Sequence, residues 1–166
     1  MPGEVKIEGA DEFMRSVDAL IAAIDVATQK AVRNGISLIS RNAKRGFAGQ
    51  HPLGTPRPIP DDPRPYAVSE DLKRSIKRYP TRPEQIGRGV WRQGVGPTMV
   101  YGRRIELGFH GRNPPRRIST RTRRLPRWSR TYDQPGYPYL GPAVKKALPE
   151  LPDLFIAEWN SVIGKP

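Results

Sequence analysis

The amino-acid sequence predicts an α+β fold: a small antiparallel sheet packed by one long N-terminal helix, with a C-terminal helix and two long irregular loops. Three observations lead to this prediction. A helical series of apolar residues begins at Phe13, two strand-like apolar stretches follow Pro83, and a second helical stripe ends at Val162. A chain of 166 residues is long enough for one hydrophobic core, so we expect a single domain spanning residues 1–166.

The first two predicted elements are a short strand and a long helix. Val5–Gly9 alternates apolar and polar residues, as a strand does. Asp11 has the side chain of a helix N-cap, and the apolar series from Phe13 continues with helical spacing to about Lys44. Gly35, inside this helix, either bends it or lets another element pack closely against it.

A proline-rich loop and a short helix are predicted next. Gly46 and Gly49 end the long helix. Residues 50–65 contain six prolines, which exclude regular helix and central strand. Ser69-Glu70 then resembles a capping segment, and it opens a short helix over Asp71–Ile76.

The middle of the chain predicts a β-hairpin. Its strands lie within Ile86–Val95 and Thr98–Leu107, and its turn lies near Gly96-Pro97. A second irregular loop, rich in arginine, occupies residues 110–136. Strand-like order returns at Tyr137–Leu140.

The chain closes with a helical region. It begins at Gly141-Pro142, is split by Pro149 and Pro152, and stops at Gly164. Three aromatic residues on apolar faces are assigned to the core: Trp91, Phe155 and Trp159.

The positive charge is concentrated in one part of the chain. Of the formal net charge of +13, residues 66–141 supply 17 basic and 5 acidic side chains, while both ends are close to neutral. Such a concentration indicates a polyanionic partner, either nucleic acid or an acidic protein surface. Arginine outnumbers lysine in this region, which suits bidentate contacts with phosphate or carboxylate, although a GC-rich genome would give the same bias.

The arginine-rich loop contains the candidate contact residues. Trp128 and Tyr132 lie among these arginines, where they either stack on bases or pack against a neighbouring subunit. The full set of candidates for contact with a subunit interface or with DNA in a lumen is Arg112, Arg116, Arg117, Arg121, Arg123, Arg124, Arg127, Trp128 and Arg130.

Composition also limits the chemistry that we expect. The absence of cysteine excludes disulfides, thiolate zinc sites and a cysteine nucleophile, and it suits a protein made in a reducing cytoplasm. No signal peptide is recognised, and the longest apolar run, Ala19–Ile24, is too short to span a bilayer, so no membrane partner is expected.

No catalytic constellation is predicted. His51 and His110 are interpreted as solvated loop histidines, and the acidic pair Asp61-Asp62 lies among prolines without a rigid support. Gly87-Arg88-Gly89 and Gly94-Val95-Gly96 lack the spacing of phosphate-binding loops and are interpreted as turn glycines. We therefore expect no enzyme activity, no cofactor and no metal.

Several segments together resemble one family. The start of the chain before the long helix, and the Leu-basic-basic-Ser-Ile pattern of residues 72–76, are similar to the phage tail-completion proteins. Val95-Gly96-Pro97, followed by Tyr101 and Ile105-Glu106-Leu107-Gly108, resembles that family's hairpin. Tyr139-Leu140-Gly141-Pro142-Ala143 resembles the entry to its last helix. The two irregular loops are longer than the family pattern leads us to expect.

The resemblance implies a structural protein of the virion neck, made in the host cytoplasm. Such proteins join the DNA-filled head to the tail of long-tailed phages, without enzymatic activity or cofactor. The implied partners are further copies in a closed ring, for which six subunits are expected, together with adjacent head-closure or connector proteins and tail-terminator or tail-tube proteins. Double-stranded DNA passes through the lumen without sequence-specific contacts.

Two other functions remain open from the residues alone. A cytoplasmic nucleic-acid-binding accessory protein would use the basic middle segment equally well, although no recognition helix or aromatic sheet motif of the known modules is present. An enzyme acting on nucleic acid is disfavoured because acidic residues are few near the basic region.

Overall fold

The computed structural model describes residues 8–49, 64–65, 70–112 and 131–164. The predicted strand at Val5–Gly9 lies mostly outside these ranges, as does nearly all of the proline-rich loop at 50–65. Within them, the fold class is confirmed: the chain is α+β, with a long N-terminal helix, antiparallel strand pairs and a C-terminal helical region.

Helix α1 spans Ala10–Arg45 and is the longest element. Asp11 was predicted as its N-cap, but the cap is Gly9, whose φ of 87° lies in the left-handed region that glycine adopts without strain. Asp11 instead lies in the first turn, where its negative charge interacts favourably with the positive end of the helix dipole. The helix ends as predicted at Gly46, whose N–H donates to the carbonyls of Asn42 and Ala43.

Helix α2, Asp71–Ser75, confirms the predicted short helix, except that Ile76 already begins a strand. Glu70 occupies the N-cap position with φ 57° and makes no side-chain capping hydrogen bond. The hydroxyl of Ser75 donates to the carbonyl of Leu72 at 2.7 Å.

The β-hairpin lies earlier in the chain than predicted. Strand β1, Ile76–Gly87, pairs antiparallel with β2, Val90–Pro97, and the turn is at Arg88-Gly89. Gly89 is the second residue of this turn, and its φ of 70° lies in the left-handed region that glycine adopts without strain, so it is a turn glycine as interpreted from the sequence. Gly94 and Gly96, in contrast, pair within the ladder, and the predicted turn at Gly96-Pro97 is wrong.

The prolines of β1 lie where its pairing is interrupted. The register shifts between Tyr79 and Glu84, a stretch that contains Pro80 and Pro83. Proline has no N–H to donate and is tolerated in sheets at such irregularities. The residues after β2 form helix α3, Gly102–Leu107, in place of the predicted second strand.

A second pair of strands begins and ends the arginine-rich region. Strand β3, Phe109–Arg112, pairs antiparallel with β4, Thr131–Gln134. The predicted irregular loop at 110–136 is therefore regular at both ends. The strand predicted at Tyr137–Leu140 is wrong, because β4 comes earlier and Tyr139 is the N-cap of the next helix.

The C-terminal region is helical, as predicted. Helix α4, Leu140–Ala147, is followed by a 3₁₀ turn, Leu148–Glu150, and by helix α5, Leu151–Ile163, which ends at Gly164. Pro149 lies in the 3₁₀ turn and Pro152 in the first turn of α5, so the two prolines divide the region as expected.

The buried core joins α1 to α2, β1 and α4. Gly35 of α1 is buried, and a Cβ there would lie 2.9 Å from Cδ2 of Leu151, so this glycine serves close packing against α5. Of the three aromatics predicted as core, Trp91 and Phe155 are half-buried and Trp159 is 37% exposed, so none of them belongs to the buried core. The core cluster consists of Ile39, Ala43, Leu72, Ile76, Tyr139, Ala143 and Ala147.

Candidate interface surfaces

The strands β3 and β4 fix the two ends of an arginine-rich segment, residues 113–130. Arg112, the last residue of β3, pairs with Thr131, the first of β4, so the segment leaves and rejoins the fold at adjacent positions. It contains seven arginines and no acidic residue. Of the nine candidate contact residues only Arg112 belongs to the described chain; eight lie outside it, namely Arg116, Arg117, Arg121, Arg123, Arg124, Arg127, Trp128 and Arg130.

A cation–π contact lies beside the first of these strands. The guanidinium carbon of Arg104 in α3 lies 4.5 Å from the ring centroid of Phe109 in β3. An arginine over an aromatic face is attracted by the ring quadrupole. The contact therefore connects α3 to the strand that leads into the arginine-rich segment.

The carboxylate of Glu106 connects α3 to the beginning of α4. Its Oε2 accepts hydrogen bonds from the backbone N–H groups of Tyr139 at 2.7 Å and Leu140 at 2.9 Å, and its Oε1 accepts from Gly141 at 2.9 Å. The first N–H groups of a helix have no partner within the helix, and negative charge is favoured there. Glu106 thus caps α4 from a distant part of the sequence. We call these three hydrogen bonds the Glu106 clasp.

The backbone approaches closely beside the clasp. The N–H of Tyr137 donates to the carbonyl of Ile105 at 2.7 Å. A Cβ on Gly136 would lie 2.9 Å from the backbone carbon of Leu107 and 3.0 Å from the oxygen of Glu106. Only glycine fits at position 136 without moving one of the two backbones.

Tyr139 connects the clasp to the core. Its side chain is 1% exposed, its hydroxyl donates to the carbonyl of Gly102 at 3.4 Å, and its ring lies 5.2 Å from that of Phe47. Burial, together with the nearby charges of Glu106 and Tyr101, raises the pKa of Tyr139 to about 12. The phenol therefore stays neutral wherever the fold is intact at ordinary pH.

A basic groove lies between α1 and β1. It has a volume of about 430 Å³, and its cations are Lys44, Lys77 and Arg78. Arg78 donates from Nη1 to the hydroxyl of Ser37 at 3.2 Å, which places the guanidinium against α1. None of the described side chains that line the groove is acidic. The complete lining is Ser37, Ser40, Lys44, Ile76, Lys77, Arg78 and Thr81.

The basic groove and the Glu106 clasp were both missed by sequence reasoning. Lys44 and Lys77 belong to elements that are separated along the chain, so no local pattern indicates their proximity. The sequence distinguishes Glu106 only as one of the few acidic residues near the basic region and as part of a segment that resembles the family. The fold, which brings α3 to α4, gives this carboxylate its role.

The described ranges hold no set of three histidine, aspartate or glutamate side chains close enough together to bind a metal ion. His110, predicted in a loop, is an exposed residue of β3. His51, Asp61 and Asp62 lie outside the described residues. Among the helices that the structure describes, none is long and apolar enough to cross a membrane.

Models of protein families, curated proteins and solved structures give no match to this chain.

Proposed function

We propose that this chain is a structural protein of the phage neck: a ring-forming tail-completion or head–tail connector component of the virion, through which the genome passes. The observation that carries the proposal is the Glu106 clasp, because it joins two of the segments that resemble the family. Ile105–Gly108 and Tyr139–Ala143 are separated by the whole arginine-rich region, yet a carboxylate of one caps the helix that begins in the other.

The clasp supplies a physical reason for particular residues in both segments, Ile105–Gly108 and Tyr139–Ala143. A glutamate is needed at position 106 because its carboxylate accepts from three N–H groups at once. Pro142 suits the first turn of α4, where an N–H has no helical partner. These requirements account for residue choices that composition alone does not explain, and they support the proposed family.

The proposed assembly is a closed ring of six copies between two sets of neighbours. On the head side these are head-closure or connector proteins, and on the tail side tail-terminator or tail-tube proteins. Closed rotational symmetry suits a conduit for double-stranded DNA. The arginine-rich segment is assigned to contact with an acidic neighbouring protein, because tight binding to the genome would hinder its ejection.

The direct test removes the gene from the phage that encodes it. Infected cells should then accumulate DNA-filled heads and separate tails, and expression of the intact protein in trans should restore joined particles. Electron microscopy counts the three classes of particle. A normal yield of joined virions without the protein contradicts the proposal.

A second test concerns the arginine-rich segment. Replacing Arg116, Arg117, Arg123 and Arg124 with glutamine should reduce the number of joined virions while the protein remains folded. A control chain removes the same number of charges at exposed positions elsewhere, and it should join heads and tails normally. The control residues, also changed to glutamine, are Arg41, Arg88, Lys145 and Lys146. Equal joining by both variants shows that the segment has no part in assembly.

The proposal includes the absence of catalysis. Purified protein incubated with supercoiled plasmid and Mg²⁺ or Mn²⁺ should leave the DNA intact. Nicking that disappears when Asp61 and Asp62 are replaced with asparagine would assign a nuclease activity and overturn the structural role.

The second candidate function is non-specific binding of nucleic acid, and the basic groove favours it. Lys44, Lys77 and Arg78 surround a groove of about 430 Å³ with hydroxyl groups beside them, an arrangement suited to backbone phosphates. Binding of this kind weakens with salt by a log–log slope of roughly −0.9 per phosphate neutralised. A steep slope that flattens when Lys77 is changed to glutamine supports this candidate, whereas weak binding by the intact chain favours the neck protein.

A further inference from the structure

Helix α1 extends beyond the elements that cover it. The tip of the hairpin reaches α1 at Asp25, which accepts from Trp91 Nε1 at 2.8 Å. Helix α5 runs back along α1 to Thr28, which accepts from Trp159 Nε1 at 3.0 Å. Residues 10–24 precede both contacts, and nearly all of residues 10–22 are exposed. We call residues 10–24 the arm; at 1.5 Å per residue it is about 22 Å long.

The arm continues the same apolar face that α1 buries elsewhere. Ala27 and Ala31 are buried, and positions three and four residues apart lead back along the helix from them to the arm. Phe13 is 68% exposed, and Leu20 and Ile21 are 44% exposed. An exposed, contiguous apolar stripe of this kind is typical of an interaction site.

The arm is acidic, unlike the basic parts of the chain that follow it. Residues 10–24 contain three acidic side chains, Asp11, Glu12 and Asp18, and a single basic one, Arg15. Residues 27–49 contain five basic side chains and no acidic one, and residues 70–112 contain ten basic and four acidic side chains. The arm is thus an acidic amphipathic helix attached to a basic body.

A cleft in the hairpin has the complementary character. It lies where the register of β1 shifts, has a volume of about 1000 Å³, and exposes Tyr79 by 84%. Pro80 and Pro83 add apolar surface, and Arg82 adds a positive charge. We call it the hairpin cleft; its lining is Tyr79, Pro80, Arg82, Pro83, Glu84, Arg92, Gln93 and Gly94.

We propose that the arm of one copy docks in the hairpin cleft of the next copy. The proposal deepens the ring proposed above and rests on it. The arm does not reach the cleft of its own chain, because it continues as one unbroken helix past the hairpin tip at Asp25. Two different surfaces of one molecule that bind each other between copies form a head-to-tail contact, which closes into a ring or propagates as a filament.

Pairing of two arms is the alternative within the same chain, and charge disfavours it. Two arms that each carry excess negative charge repel one another, whereas an acidic arm and a cleft containing Arg82 attract. The two arrangements respond oppositely to salt. Docking of arm in cleft should weaken between 50 and 500 mM NaCl, whereas pairing of arms should strengthen as repulsion is screened.

The first experiment measures self-association of the full chain by sedimentation at increasing concentration. Leu20→Gln, on the apolar stripe, should raise the dissociation constant about tenfold or more, since it places an amide in the contact. Val26→Gln is the matched control, because Val26 is 63% exposed on the opposite side of the same helix. A chain that is monomeric at all concentrations, or a Leu20 variant that associates like the control, overturns the proposal.

A charge exchange tests which surfaces meet. Asp18→Arg in the arm and Arg82→Glu in the cleft should each weaken association, and an equimolar mixture of the two variants should restore it. In the mixture every interface pairs an acidic with a basic residue at these positions. Failure of the mixture to recover association overturns the pairing of arm with cleft.

Cross-linking identifies the geometry. Because the chain has no cysteine, introduced thiols are unique. With a short bismaleimide, a chain carrying Ile21→Cys and Tyr79→Cys should form a ladder of multimers, whereas Val26→Cys with Tyr79→Cys should not. Dimers from Ile21→Cys alone would reveal paired arms and overturn the proposal. The yield of joined virions in the gene-deletion test bears on the neck function alone, so failure of the neck proposal is distinguishable from failure of the arm–cleft contact.

Discussion

The indole Nε1 of Trp91 in β2 donates a hydrogen bond to Oδ1 of Asp25 in α1 over 2.8 Å. Gln85, which pairs with Trp91 across the hairpin, donates to Oδ2 of the same carboxylate at 3.5 Å. One aspartate therefore holds both strands of the hairpin tip against the long helix. The contact also marks where the covered part of α1 begins.

This hydrogen bond should be measurable as a coupling energy. Asp25→Ala and Trp91→Phe should each lower the free energy of unfolding, and the double variant should lose about 1 kcal/mol less than the sum of the two. Urea denaturation of the unchanged protein, the two single variants and the double variant gives the four free energies of this double-mutant cycle. Asp25→Asn keeps an acceptor oxygen and should lose less than Asp25→Ala. Additive losses would show that the two side chains do not interact.

The Glu106 clasp predicts a large effect from a small change. Glu106→Gln removes the negative charge and one acceptor oxygen from three helix N–H groups, and it should lower the free energy of unfolding by about 2 kcal/mol. Glu84→Gln is the matched control, since Glu84 pairs with Arg92 at 3.0 Å on an exposed surface. The Glu84→Gln variant should lose less than about 0.5 kcal/mol of the free energy of unfolding. Equal losses, measured in urea, would contradict the capping role.

Position 136 should accept only glycine. In Gly136→Ala the new methyl group would meet the backbone of Leu107 and Glu106, so the clasp must open, and we expect a loss of about 2–3 kcal/mol. Gly96→Ala is the control, because a Cβ there meets no atom within 4 Å. Thermal unfolding of both variants provides the comparison. A Gly136 variant as stable as the control would refute the close approach.

Stability at alkaline pH should depend on Tyr139. The folded pKa of about 12 lies above the ordinary value of 10.0, so the stabilisation is fully present below pH 10 and is lost as pH rises from 10 through 12. The free energy of unfolding should fall there by about 1.4 kcal/mol per pH unit through this group. Tyr139→Phe should remove this contribution to the slope.

Helix α1 shows what the sequence predicts well. Its apolar residues recur with helical spacing over many turns, and Gly46 stops it, so bounds drawn from Phe13 to Lys44 differ by only a few residues from Ala10–Arg45. The prolines near position 150 likewise divide the last helical region, because each has no N–H for the preceding turn.

The hairpin shows where sequence reasoning goes wrong. The prediction followed apolar density and placed the strands in Ile86–Leu107, but half of the twelve residues of β1 are charged residues or prolines. Its pairing with β2 is made by backbone groups, and of its residues Ile76 and Pro83 are buried. The tight turn lies at Arg88-Gly89, and Gly89 is interpreted from the sequence as a turn residue, although the predicted hairpin turn lies near Gly96-Pro97.

The contacts of the candidate surfaces were beyond sequence reasoning for a different reason. The Glu106 clasp joins residues separated by 33 to 35 positions, and Lys44 and Lys77 line one groove only because β1 packs on α1. Partners at such separations are set by the fold rather than by local pattern. The family-like segments came closest, because they singled out both sides of the clasp without indicating that they touch.

The arginine-rich segment, residues 113–130, is not what holds the chain before it and the chain after it together. The strands β3 and β4 pair on either side of it, the Glu106 clasp closes behind them, and α4 and α5 pack on α1. A chain cut between residues 113 and 130 should therefore stay associated as two complementary fragments. For the same reason this segment is free to lengthen or shorten during evolution at little cost to the core, since loop closure depends only weakly on length.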